Sequence, residues 1–486
     1  MQGGKRENAG RKPISKNEKK LGYKIYLPPK LSNDIDLLGT GNSFSEKCAQ
    51  ILKLKIDEMQ KNKNQTIKII DLFAGLGGIR LGFEQAAKEQ GINVQCVFSS
   101  EIKKYAIRAY KNFFGDEHIY GDITKISSQE IPAFDFLLAG FPCQPFSAAG
   151  KGLGFQDTRG TLFFEIERIL KDKKPYGFLL ENVEGLVNHD GGKTLSTIIS
   201  HLKALGYLVS WKLIDSQNFN LAQSRKRVYI VGTRKHNISL DDFPIQKTNF
   251  GNIIQKGLPT INSQFTKCLF KNYKPEQIYG KSIKDKRGGS DNIHSWDLEL
   301  KGETTTEERN LLNIMLKERR KKKWAQEIGI KWMDGMPLTT KQIKTFFSHP
   351  HLENLLNNLT NKGYLKYEYP KELVNGIRIP DKTKPKGYNI VSGKLSFEFS
   401  KILNPKQLAP TLVATDVSKL GVIDNNGLRK ITIREGQRLC GYPETYDLSF
   451  LKETEAFDLL GNTVCVPVIK AIASRLTQAV LIQISE

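Results

Sequence analysis

The chain has 486 residues, 39% hydrophobic and 26% charged, with 74 lysines and arginines against 51 acids, a formal charge of +23. That length supports a large core divided over two to three units, and the charge points to a polyanionic partner, nucleic acid foremost. The six cysteines show no CxxC or Cys/His ligand spacing, against a metal site and against a disulfide framework. No apolar run reaches the roughly 18 residues that span a membrane, and the polar, basic N-terminus lacks the apolar stretch of a signal peptide, so a reducing, intracellular compartment without membrane contact is expected.

Residues 1–65 read as a separate basic module. Tyr23, Ile25 and Leu27 alternate with Lys24 and Tyr26 as in a strand, and Pro28 and Pro29 end it. Leu31, Ile35 and Leu38 then make a helical stripe, and residues 41–46 cap a second helix. This order is similar to ribbon-helix-helix repressors, in which two chains pair strands into a major-groove ribbon. The resemblance implies a homodimer, with Lys24 and Tyr26 facing bases of the protein's own operator. The other reading is a basic linker before an amphipathic helix, since a lone ribbon does not fold without a partner.

From residue 66 to 240 short apolar runs at 67–73, 94–99, 118–120, 134–139, 178–180 and 228–232 alternate with amphipathic stretches. That rhythm predicts an α/β domain with a mostly parallel, Rossmann-like sheet covered by helices. In such sheets ligands bind in the crevice beyond the carboxyl ends of the strands. Phe73, Gly75, Gly77 and Gly78 follow the first strand, either as a loop that lets backbone approach a nucleotide or as a plain structural turn. Glu101 and Asp122 follow the next two strands, a placement that suits an adenosine-type ligand.

Phe141, Pro142, Cys143, Gln144, Pro145, Phe146 and Ser147 follow the fourth strand. A proline-fixed turn there suits a nucleophilic thiol, although a free cysteine also serves as a small buried hydrophobe. Glu181 closes the fifth strand, where partial desolvation lets a carboxyl hold a proton near neutral pH; a loop acid is the plainer reading. Gln223, Arg225 and Arg227 alternate into the last strand and so share one side, with two guanidiniums able to bind a phosphate or a base carbonyl.

Between 241 and 408 the pattern loosens into lysine-, asparagine- and glycine-rich sequence, predicting a smaller irregular domain. Arg287 with Gly288 and Gly289, and His294 with Ser295 and Trp296, read as loops near DNA or solvated loops. Residues 317–323 extend a helix from Thr306 as a phosphate-gripping or solvated face. Residues 338–343, 352–359 and 363–365 suggest two short helices and a strand of a winged-helix insert. Residues 409–486 return to the catalytic domain, with helices at 432–439 and 466–482 and an N-cap region at Gly461, Asn462 and Thr463.

Taken together, the glycine loop, residues 141–147, Glu181 with Asn182 and Val183, residues 223–227 and residues 461–464 resemble the cytosine-5 DNA methyltransferases of bacterial restriction-modification systems, in that family's order. The resemblance implies S-adenosyl-L-methionine as methyl donor, a specific site in double-stranded DNA as substrate, a cognate restriction endonuclease as functional partner, and the bacterial cytoplasm, at the nucleoid, as location. Cys143 would add to C6 of a cytosine flipped out of the helix, Glu181 would hydrogen-bond its N3 and amino edge, and Arg227 its O2, with Arg225 supporting the pocket. Phe73, Gly75, Gly77, Glu101, Asp122, Pro142, Asn462 and Val464 would hold the cofactor, and Gln144 and Ser147 would lie near the vacated stack. Residues 241–408 would be the target-recognition domain, with 410–415 its closing strand. Arg434 and Glu435 fit a buried ion pair, and Tyr442 stands where phenylalanine is commoner. A transfer-RNA cytosine methyltransferase shares the catalytic set, but the long basic middle region disfavours it; a DNA-binding regulator acting through the N-terminal module is the other alternative.

Overall fold

The computed structural model describes residues 24–62, 66–115, 118–142, 162–285, 291–374, 377–391 and 397–485. It divides into two units, 1–65 and 66–486. In the first, helices α1 (Pro29–Leu38) and α2 (Phe44–Asn62) pack as a hairpin, tied by Lys47 Nζ to the Asp36 carboxylate at 3.0 Å. The expected strand is not formed: residues 24–28 carry no regular structure and Tyr26 is 92% exposed. A ribbon strand pairs only with a second chain, so nothing in one chain can hold Lys24 and Tyr26 in a ladder.

The second unit is built on six strands: β1 (Thr66–Leu72), β2 (Asn93–Ser100), β3 (Phe136–Gly140), β4 (Gly177–Val183), β5 (Leu208–Asp215) and β6 (Lys226–Thr233), in the order β2-β1-β3-β4-β6-β5. β2, β1, β3 and β4 pair in parallel and β6 runs antiparallel between β4 and β5. The α/β class is as expected; the strand at 118–120 shrinks to one bridge, Ser100 to Tyr120, and β5 is an addition. Successive side chains of a strand point to opposite faces, so Ile67 and Ile69 meet α3 (Gly78–Glu89) and the C-terminal helix, while Ile70 and Leu72 meet the other layer. That layer is α5 (Leu162–Lys173) and α6 (Lys193–Ala204), which bring Ile166, Leu170, Ile198 and Leu202. Between β2 and β3 lies α4 (Lys104–Phe114).

Beyond the sheet come α7 (Gln264–Asn272), α8 (Pro275–Ile278), β7 (Ser282–Ile283) and β8 (Asn292–Ile293). Next is an insert of α9 (Thr306–Glu318), α10 (Lys322–Glu327), α11 (Thr340–Lys344), α12 (Leu352–Asn361), β9 (Leu365–Glu368), β10 (Lys371–Val374), β11 (Ile377–Pro380) and β12 (Gly387–Ile390). β13 (Lys401–Ile402), β14 (Leu420–Asp424) and β15 (Gly427–Lys430) join β7 and β8 in a second sheet, β15-β14-β13-β7-β8. This sheet recruits 420–430, beyond residue 408. The chain ends in α13 (Ile433–Cys440), α14 (Glu453–Asn462) and α15 (Val466–Ser485). No single helix among the described residues is long and apolar enough to cross a membrane.

Four local expectations are corrected. Gly461 and Asn462 end α14, with Thr463 as its C-cap, instead of opening α15. The basic run 317–323 spans a break between α9 and α10, where Arg319 is buried and donates to Asn389 Oδ1 at 2.7 Å. Residues 410–415 form no strand. Glu435 pairs with Arg429 at 2.7 Å and Arg434 with Glu444, because α13 turns residue 434 away from the buried acid.

Candidate active site

A cleft of about 560 Å³ opens at the carboxyl ends of β1 to β4, in the size range of small-molecule sites. Its first wall is the turn after β1. Phe73 (φ 56°), Gly75 (φ 54°) and Gly77 (φ 67°) all take the left-handed conformation, and for Phe73 that is strain of the kind held at functional sites. A Cβ on Gly75 would touch only Phe73 O, at 3.9 Å, so this face of the loop stays clear beside the cleft. At Gly77 a Cβ would sit 2.4 Å from the Phe114 ring, so close packing as well as the left-handed backbone calls for glycine there.

Glu101, after β2, is fixed by three backbone donors, each at 2.8 Å: Gly75 N–H to Oε2, and Ile102 and Lys103 N–H to Oε1. It thereby ties the glycine turn to the next strand end. Asp122 Oδ1 accepts from Thr124 N–H and Oγ1, holding that carboxylate at the rim. Pro142, Asn462 and Val464 also line the cleft. An adenosine-type methyl donor fits these residues: an open glycine turn, two anchored carboxylates and the helix α3 amino end.

The floor is Glu181 and Arg227. Register pairs Gly140 with Glu181 and Val183 with Arg227, which sets the two side chains at one strand end. Arg227 Nε lies 3.0 Å from Glu181 Oε1. Burial pushes the Glu181 carboxyl above the usual carboxylate range, and the guanidiniums of Arg227 and Arg225 oppose without cancelling it. Arg225 is buried and spends its guanidinium on carbonyls: Nη1 to Leu412 O at 2.9 Å, and Nη2 to Gly461 O and Thr463 O at 3.0 and 2.6 Å. It positions the returning C-terminal segment and also lines the cleft, where its Nε has no hydrogen-bond partner among the described residues. Gln223, expected on the same side, is wholly buried against Leu412 N–H and Leu439 O.

Asn182 Nδ2 donates to Phe141 O at 2.9 Å and so fixes the exit of β3. Cys143, Gln144, Ser147 and Arg287 lie outside the described residues. His294, Ser295 and Trp296, expected in a loop near DNA, are buried: His294 stacks on Trp296 and its Nδ1 lies 2.6 Å from Lys284 O.

Around the cleft, other residues hold its walls in place. Asp458 accepts from Lys103 Nζ at 2.8 Å, Tyr105 Oη at 2.6 Å and Asn462 Nδ2 at 3.1 Å, clasping α4 to α14. Tyr442 uses its hydroxyl on Thr463 Oγ1 at 2.5 Å, beside Gly78, which explains tyrosine where phenylalanine is commoner. Beneath the glycine turn, Asp71 is buried and accepts from Tyr110 Oη at 3.2 Å, and burial raises its pKa from 3.8 to about 8.

The Asp71 shift carries a stability consequence of known sign. Above pH 3.8 the unfolded carboxyl releases its proton while the folded one keeps it up to about pH 8, so folding loses free energy as pH rises through that window. One pH unit is worth about 1.4 kcal/mol. Asp71→Asn removes the term, so the stability of the variant relative to the parent should rise by up to about 3 kcal/mol between pH 5.5 and 8. Denaturant unfolding at both pH values checks it; parallel pH profiles for the two proteins would contradict it.

The sheet, the strand-end cleft and its glycine turn define an α/β protein with a small-molecule site at the carboxyl ends of its parallel strands. Residues 67–478 match the family model of C-5 cytosine-specific DNA methylase. The chain is 58% identical over 419 residues to Type II methyltransferase M.NlaIV of Neisseria lactamica, covering 85% of this chain and 99% of that protein. It is 42% identical over 438 residues to Type II methyltransferase M.BanI of Aneurinibacillus aneurinilyticus, covering 85% and 96%. Among solved structures, the S. pombe Dnmt2 methyltransferase aligns with TM-score 0.47 at 18% identity, covering 85% of this chain and 99% of that one. The chain belongs to the C-5 cytosine-specific DNA methylase family and is a DNA cytosine-5 methyltransferase.

Proposed function

We propose that the chain moves a methyl group from S-adenosyl-L-methionine to C5 of a cytosine flipped out of a specific duplex DNA site, through a covalent Cys143–C6 adduct. In a bacterial cell this would protect host DNA from a cognate restriction endonuclease. The observation that carries the reading is the buried Glu181–Arg227 pair at the floor of a cleft whose opposite wall is the glycine turn. Bound S-adenosyl-L-methionine supplies a sulfonium methyl, an electrophile for C5.

The chain's residues supply the rest. The Cys143 thiolate adds to C6, which makes C5 electron-rich; a soft nucleophile is needed because C5 of cytosine is otherwise unreactive. Glu181, its carboxyl inclined to hold a proton, hydrogen-bonds N3 and so draws electrons away from C6. Arg227, held by Glu181 at 3.0 Å, donates to the base O2. After methyl transfer the C5 proton passes to water, its electron pair re-forms the C5–C6 double bond and expels the thiolate, and N3 returns its proton to Glu181. Glu101, Asp122, Asn462 and Val464 hold the donor's nucleoside. Base flipping, which costs a few kcal/mol, is what lets a cleft of this depth reach the base.

Labelled methyl transfer to duplex DNA and to transfer RNA, with bisulfite sequencing of the DNA, tests the reading. Transfer to one cytosine of a defined duplex site is expected. Transfer to the RNA alone would replace it with the transfer-RNA reading.

A homodimer is proposed through the N-terminal unit, because within that unit Ile25, Leu37, Leu38, Leu52 and Ile56 are left at least half exposed. Deleting residues 1–60 should retain methylation and abolish dimerisation and operator binding; unchanged operator affinity would overturn it.

A further inference from the structure

The insert is a winged helix in topology. Leu338 bridges Tyr388, α11 and α12 follow, and β9 returns antiparallel to β12 from Leu365–Ile390 to Glu368–Gly387. Between β9 and β12 the β10–β11 hairpin projects as a wing. Its own core includes Leu311, Met315, Leu338, Leu356 and Leu359 around Trp296.

On α12 the apolar face is Leu352, Leu356 and Leu359, all buried. At 3.6 residues per turn the opposite face gathers Asn354, Asn357, Asn358 and Asn361 within an arc of about 100°. All four are exposed. Asparagine is a poor helix former whose short amide competes with the backbone, so helix stability gives no reason to line an exposed face with it; of the four, Asn357 also accepts from Tyr388 Oη at 3.5 Å. The amide is, however, the side chain that both donates to and accepts from base edges, bidentate to adenine above all. The one acid of α12, Glu353, is engaged by Lys344 at 3.5 Å.

Charge supports the same partner. Residues 362–386, from the end of α12 through the wing, hold seven lysines or arginines against three acids. Arg378, Lys382 and Lys386 are exposed on or beside the wing. A neutral, hydrogen-bonding helix face flanked by a hairpin and the lysine-rich segment 382–386 after it matches a groove with phosphates on either side.

We propose that α12 is a reading helix that lays Asn354, Asn357, Asn358 and Asn361 in the major groove of the substrate duplex, with the β10–β11 wing against the adjacent phosphates, so that these amides fix part of the recognised sequence. The inference rests on the DNA methyltransferase reading above and adds to it which residues set the site.

The test uses the full chain and duplexes carrying the wild-type site, first mapped by bisulfite sequencing, together with a pool randomised around it. Asn354→Ala, Asn358→Ala and the double variant replace exposed asparagine with a better helix former, so thermal unfolding should be unchanged. Each should lose about tenfold or more in kcat/KM on the cognate duplex and methylate sites that the wild type rejects. The triple variant Lys382→Ala, Lys384→Ala, Lys386→Ala should instead weaken binding to all sequences and lower the salt slope by about one for each phosphate no longer gripped. If the wild type methylates DNA and the asparagine variants keep its sequence profile and rate, the inference is overturned while the enzyme reading stands. If the wild type methylates no duplex, both fall.

Discussion

Cys143→Ser is expected to lower methyl transfer to duplex DNA by at least about 10⁴-fold, the scale seen when a covalent nucleophile is removed from a preorganised site. Serine keeps the shape of cysteine, but its hydroxyl does not ionise near neutral pH, and C6 of cytosine needs an anionic, polarisable attacker. The residues that lead into Cys143 are held: Gly140 stands in register with Glu181, and Asn182 clamps the carbonyl of Phe141. A second readout separates a chemical from a binding defect. On a duplex with 5-fluorocytosine at the target, the wild type should form a complex stable to denaturant, because fluorine cannot leave C5 as a cation and the S–C6 bond persists. Cys143→Ser should form none. Trapping by the variant, or a rate within tenfold of wild type, would remove Cys143 from the reaction.

The buried strands were legible because both their faces are covered, which leaves near-continuous apolar runs such as Phe178, Leu179 and Leu180. β5 was not, since an edge strand with half-exposed Trp211 and Lys212 carries no such run. Glu181, Arg227, Glu101 and Asp122 drew notice because each lies at or near the end of an apolar run in the sequence. Arg225 was placed but its work was not visible: the carbonyls it holds lie 187 to 238 residues further along the chain. The same limit hid Asp458 and the core position of Trp296, whose polar, glycine-containing neighbourhood reads as a loop until α9 and α12 close over it. Local chemistry is written in spacing, whereas partners brought by tertiary packing are not.

Glu181→Gln should lower kcat/KM by about 10²- to 10⁴-fold, the usual range for a general acid or base, while donor binding at the glycine turn is retained. The amide keeps the size and one acceptor of the carboxyl, so the floor of the cleft should stay packed. It cannot give a proton to N3, and it no longer draws Arg227 Nε, now 3.0 Å away, by charge. The pH dependence distinguishes these two effects. Burial raises the Glu181 pKa, so its protonated form persists to higher pH than an ordinary glutamate and is lost as pH rises through the shifted value. The wild-type rate should therefore fall on the basic side of that transition, and the Glu181→Gln profile should be flat across it. Arg227→Lys gives the complement: a point charge in place of the planar fork should weaken base orientation while leaving the basic limb in place. If Glu181→Gln keeps the wild-type basic limb, the proton at N3 comes from elsewhere and the carboxyl serves only to hold Arg227.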